Sequence, residues 1–113
     1  MITETAEQTE NDLAIQGLER ATKWLSEHRE LLSWGTSIFL SPRPGQHPQI
    51  TLGLGVSDAV HREICLLLTG HQATKQIDGN DTRYAVEAPE LGLSFRWNQW
   101  DPRASRDEEV IAI

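Results

Sequence analysis

Asp58, His61 and Cys65 stand three and four residues apart. That spacing makes them neighbours on one flank of a helix. A carboxylate, an imidazole and a thiol so placed have the chemistry to orient, deprotonate and attack. They also offer three ligands to a metal ion. The rest of the chain supports neither use. A Cys–His nucleophilic pair normally joins separate segments across a pocket. A zinc centre calls for a second Cys or His pair, and only His71 is near. The chain has one cysteine, and a lone Cys beside an apolar helix stripe ordinarily fills space in a core. No catalytic, metal-binding or cofactor-binding residue is therefore expected. A metal or thiol site on Asp58, His61 and Cys65 stands as a minor alternative.

Other groups with chemical potential are weaker. Gly53-Leu54-Gly55 before Ser57 lacks the third glycine of a dinucleotide fingerprint and the Gly-Lys-Ser/Thr of a phosphate loop. His28 and His47 are isolated. Glu27 with Glu30, and Asp78 with Asp81, fall at a helix end and in a turn, where nothing desolvates a carboxyl and raises its pKa. The aromatic residues say more. Trp97 and Trp100 flank Asn98-Gln99 beside Arg96, and aromatics interleaved with bases on a sheet can stack nucleobases. Strand parity splits the set. Trp97 shares the side of Leu93 and Phe95 and belongs to a core, whereas Trp100, Phe39, Arg83 and Arg96 are left on the other side.

The elements that must position these residues can be read from periodicity. Asn11 or Asp12 caps a helix running to about residue 29, with Ala14, Ile15, Leu18, Ala21, Thr22 and Leu25 on one face. Leu13, Gly17 and Trp24 form a second, thinner stripe. Trp24 either packs under a loop or stands out as an anchor for a partner, and Gly17 permits a close approach. A strand over about 34–40 carries Trp34, Thr36, Ile38 and Leu40 on one side. The strict alternation of Ile50, Leu52, Leu54 and Val56 predicts a strand over 49–56, paired with the first as a hairpin. Ser57 and Gly70 bound a second helix, whose buried stripe is Val60, Ile64, Leu67 and Leu68. Three strands follow, over 72–77, 82–88 and 93–100, joined by turns at 78–81 and 89–92. The expected fold class is α+β, in two layers. A five-stranded antiparallel sheet carries two helices on one face, in the order α-β-β-α-β-β-β. Parity puts Phe39, Thr51, Arg83, Glu87, Arg96, Asn98 and Trp100 on the uncovered face.

Charge and composition narrow the function. The 113 residues include 17 acids and 10 bases, for a net charge of −7. Residues 1–12 and 107–113 contain seven of the acids and no base, so residues 13–106 are formally neutral. A DNA mimic would spread carboxylates over its folded body, and a nucleic-acid binder would carry a basic excess there. Neither holds, so nucleic acid is not expected as a partner. The expected division is an acidic arm over 1–11, one domain over 12–102 and a charged tail over 103–113. The longest apolar run, Ile64-Cys65-Leu66-Leu67-Leu68, is far short of the ~20 residues a spanning helix needs. No secretion signal is evident. A single thiol then suits a reducing cytoplasm.

The sequence resembles a loose class of short uncharacterised proteins encoded by actinobacteria and their phages. The likeness rests on the helix ending Trp24-Leu25-Ser26-Glu27-His28-Arg29-Glu30-Leu31, a hairpin, a second helix over 57–69 and closing strands, and covers about residues 12–100. It implies an α+β fold and a phage or accessory role, with no residue role to carry over. The resulting expectation is a small non-enzymatic domain that binds another protein by surface docking, as a regulator or inhibitor of a host system. Its contact residues would be Trp24, Phe39, Arg83, Arg96 and Trp100. The open face could also join two copies. The main alternative is an acidic inhibitor of a nucleic-acid-handling enzyme, with tails occupying a basic groove.

Overall fold

A computed structural model describes residues 10–33, 35–40, 47–53, 55–100 and 107–113, without the side chains of 107–109. The first helix, α1, spans Glu10–Glu27 and leads into a 3-10 turn over Arg29–Leu31. Strands β1 (Ser37–Phe39) and β2 (Gln49–Thr51) form the expected antiparallel hairpin. Helix α2 covers Asp58–Leu67 and is capped as expected, with Ser57 Oγ accepting from the Val60 N–H at 3.2 Å. Strands β3 (Gln72–Asp78), β4 (Asp81–Ala88) and β5 (Leu93–Trp100) then run antiparallel in sequence. A sixth strand, β6, spans Asp107–Ala112.

The fold is α+β, but the sheet is six-stranded and mixed, in the order β1-β2-β5-β4-β3-β6. Two expectations are corrected here. First, β2 pairs parallel to β5, with Ile50 opposite Phe95. Periodicity reports which face of a strand is buried, and is silent on the direction of its neighbour. Second, residues 107–112 are no tail. They pair antiparallel with β3 along its length, Ala73 facing Ile111 and Lys75 facing Glu109. The three acids opening β6 hide its pattern, yet Ile111 and Ile113 pack on the core while Val110 is exposed. The proposed arm over 1–11 lies outside the described residues except for Glu10 and Asn11, which are helical.

Strand β2 is also shorter than its alternation implied. The Leu52 N–H donates to Arg96 O at 2.7 Å, and the Val56 N–H donates to Asn98 O at 2.8 Å. Between these bonds the β2 side advances four residues while β5 advances two. The surplus is taken up as a bulge, with Gly53 at φ +78° and Gly55 at φ +67°, values that only glycine adopts at little cost. Leu54, expected in the core, and Trp34 lie outside the described residues.

The core lies between one sheet face and both helices. Ile50, Leu52, Tyr84, Val86, Phe95 and Trp97 supply the sheet side. Helix α1 buries Gly17, Ala21, Trp24 and Leu25. Ile15 and Leu18, expected inside, are exposed, and Trp24 from the thinner stripe is inside. The helix has turned toward Gly17, where a Cβ would stand 3.2 Å from Pro48 Cγ. The missing side chain lets α1 settle against Pro48 and swings Trp24 onto Phe95, with ring centroids 4.7 Å apart. Helix α2 buries Ile64, and Leu68 just past its end is also buried, but Leu67 is exposed. Among the described residues no helix lies on the opposite sheet face.

Gly53→Ala is expected to destabilise the chain by about 1–2 kcal/mol for the left-handed backbone alone. A further loss should come from collision with Ser33 Oγ. Gly55→Ala meets nothing and should show the backbone cost only. Urea denaturation of both variants measures the difference.

Candidate functional site

Two regions gather polar and aromatic side chains: the seam between α2 and the sheet, and the uncovered sheet face. The seam holds the residues with nucleophilic potential. One turn of α2 brings His61 Nε2 to 3.6 Å from Cys65 Sγ, as the spacing predicted. Asp58 is not their third member. Its Oδ1 accepts from Gln99 Nε2 at 2.9 Å. The position expected of an orienting carboxylate is occupied instead by the Trp97 indole N–H, which donates to His61 Nδ1 at 2.9 Å.

That bond decides what the pair can do. An indole nitrogen only donates, so Nδ1 uses its lone pair to accept and the neutral ring carries its proton on Nε2. The atom facing the thiol therefore has no lone pair with which to take a proton. Burial pushes the Cys65 thiol above its ordinary range, so the reactive thiolate is scarce. Burial also holds His61 low, against a raising effect of Asp58 and with a lowering effect of Lys75. An activated Cys–His pair needs the opposite settings: a low thiol pKa and a proton-accepting imidazole. Tyr84 stacks on Trp97 at 5.3 Å and tilts against His61 at 4.7 Å, closing the seam. Among the described residues no three His, Cys, Asp or Glu converge as metal ligands.

Two other histidines, His28 and His71, have structural settings. His28 stacks on Trp24 at 4.1 Å and its Nδ1–H donates to Trp24 O at 2.8 Å. His71 donates from Nδ1 to Leu68 O at 2.8 Å and pairs through Nε2 with the Glu90 carboxylate. These bonds raise the His71 pKa, the Glu90 bond most, and His71 in turn holds Glu90 low. The pair ties the end of α2 to the β4–β5 turn. Its importance was invisible in sequence, because the partners are 19 residues apart and meet only through sheet pairing.

On the uncovered face the sheet register sets the neighbours. Asp81 faces Trp100, Arg83 faces Asn98, and Ala85 faces Arg96. Ala85 lines a shallow groove of about 1140 Å³, together with Thr51, Thr74, Arg96, Asn98 and Val110. Asp81 accepts from Asn98 Nδ2 at 2.7 Å and from Arg83 Nε at 3.0 Å, and these bonds hold its carboxyl below the usual range. Asn98 Oδ1 accepts from the Gly55 N–H at 2.9 Å. One amide thus ties the glycine bulge to the edge of the groove. Phe39 is 56% exposed and Trp100 65% exposed, and Arg83 and Arg96 are exposed. Four of the five residues expected to contact a partner thus share an accessible face. Trp24 does not. It is 9% exposed, on the face of α1 that packs against the sheet at Phe95, and its expected role as an exposed anchor is withdrawn.

Alkylation of Cys65 by iodoacetamide is expected to be slow at neutral pH and to rise only as the thiol ionises above its ordinary value near 9.0. A rate plateau at acidic pH would instead reveal a thiolate–imidazolium pair. For His71 and Glu90 the signs are opposite. His71, raised, stabilises fully below about pH 6.5 and loses this as pH climbs through its folded pKa. Glu90, lowered, stabilises above about pH 4.5 and loses this as pH falls through its folded pKa. Glu90→Gln should therefore lower stability most between those limits and progressively less above them, as denaturation at a series of pH values would show. No protein-family model, curated protein or solved structure matches this chain.

Proposed function

We propose that this chain is a non-enzymatic domain that docks on another protein through its uncovered sheet face. The observation behind this reading is Trp100, 65% exposed at the end of β5. A large aromatic ring left in water, flanked across the strands by Arg83 and Asp81, is the residue type that dominates binding energy once it is desolvated. Phe39 adds a second exposed ring on the same face. The rest of that face, on β5 and the neighbouring β4, is hydrogen-bonding and electrically mixed, with Arg83 and Arg96 set against Asp81 and Glu87. That composition fits a reversible protein contact better than a polyanion, which would demand an unbroken basic surface.

The seam under α2 points the same way. Its thiol and imidazole are held in the wrong protonation states for attack, so the seam offers no competing nucleophile. Helix α2 presents a competing surface, because Leu66 is 70% exposed on its outer side.

Affinity capture from the native host, followed by binding measurements, tests the assignment. The Arg96→Ala, Trp100→Ala double variant should weaken the captured partner by about 2–4 kcal/mol, a 30- to 1000-fold rise in Kd. Its fold should be intact by circular dichroism. Unchanged binding in that variant, with loss in Leu66→Asp, would move the docking surface to α2.

A further inference from the structure

Trp97 is 2% exposed, and its indole N–H bond to His61 Nδ1 joins β5 to α2, one turn on from the bond of Gln99 to Asp58. Groups from four elements surround His61. Helix α2 contributes Asp58 and Cys65, β3 contributes Lys75, and β4 contributes Tyr84. Strand β5 contributes Trp97 and also Gln99, which engages Asp58 and accepts from Tyr84 Oη at 3.4 Å. The Asp58 carboxylate, already bonded to Gln99, stands on the same helix flank without bonding the ring.

We infer that the Trp97–His61 hydrogen bond is an acid-sensitive latch between α2 and the sheet. A proton taken from water by Nδ1 consumes the lone pair that accepts from the indole. Two N–H donors then face each other across a gap that had held an N–H···N bond. Neither ring can turn to repair this. Trp97 is packed against Tyr84, and an indole nitrogen has no lone pair to offer. The relief available is withdrawal of His61 from Trp97, against the Asp58–Gln99 bond that still holds the first turn of α2 to β5. Protonated His61 then faces Asp58 and water, while the indole is left without its acceptor.

The expected direction follows from linkage. The folded state binds this proton less tightly than the unfolded chain, whose histidine titrates near 6.5. Stability is therefore complete above that value and is lost as pH falls through the lower, folded pKa. The folded-to-unfolded ratio drops by the factor that separates the two proton affinities. Glu90 acts only near and below about pH 4.5, and His71 loses its contribution as pH rises instead. A stability loss that sets in as pH falls below about 6.5 therefore has the sign of His61 and not of these two groups.

Long-range nitrogen–proton NMR spectra of the full chain, recorded from about pH 8 to 5, test the latch directly. At pH 8 His61 should show a bare Nδ1 and a protonated Nε2. Its titration midpoint should lie below 6.5, and the Trp97 indole resonance should move over the same interval. A proton on Nδ1 at pH 8, or an indole signal that stays still while His61 titrates, would overturn it. His61→Gln provides an independent measurement, because its amide oxygen accepts from the indole without titrating. That variant should lose the part of the decline that sets in below about pH 6.5 while keeping His71 and Glu90 as they are. An unchanged decline would sink the idea.

Discussion

Strand β5 must bury Leu93, Phe95 and Trp97 on one side, and the rest of the molecule is arranged around that requirement. It is the strand on which both helices depend. Trp24 anchors α1 on Phe95, and His61 anchors α2 on Trp97. It is also where the parallel and antiparallel parts of the sheet join, between β2 and β4. Large aromatics contribute several kcal/mol each when buried. Two of them on one strand explain how so short a chain supports six strands with helices on a single face.

The same strand divides the chemistry of the protein by side-chain parity. Its inward residues, Phe95, Trp97 and Gln99, bind the helices. Of its outward residues, Arg96 and Asn98 line the groove, Asn98 holds the glycine bulge, and Trp100 stands exposed at the strand end. Trp97 shows how a packing residue can set reactivity. By donating one hydrogen bond it selects the tautomer of His61 and turns a Cys–His neighbourhood into a structural seam. A positive Lys75 and a desolvated ring reinforce that outcome, and the Asp58 carboxylate only opposes it in part.

Local signals were legible wherever a residue acts through its own element. The Ser57 cap, the Gly70 stop, the Asp78-Gly79-Asn80-Asp81 turn and the buried parity of β4 and β5 all depend on neighbours within a few positions. The α1 face was misread for a clear reason. Ile15 and Leu18 outweigh Gly17 in any count of apolar side chains, yet the helix turns on the absence of a side chain at Gly17, where Pro48 approaches. Strand β6 was missed because Asp107, Glu108 and Glu109 dilute its apolar alternation to a few residues. Pairing with β3, with Lys75 opposite Glu109 in register, makes such a segment a strand.

Alone, the sequence determined the α+β class, the two helices, the first hairpin and the set of residues on the uncovered face, because each is encoded in a repeat of 3.6 or 2 residues and in the caps and turns that bound it. Tertiary structure decided the parallel joining of β2 to β5, the sixth strand, the burial of Trp24 and the protonation state of His61. Each of these is a contact between segments distant in the chain, and strand direction, helix roll and a donor-only indole become defined only when those segments meet.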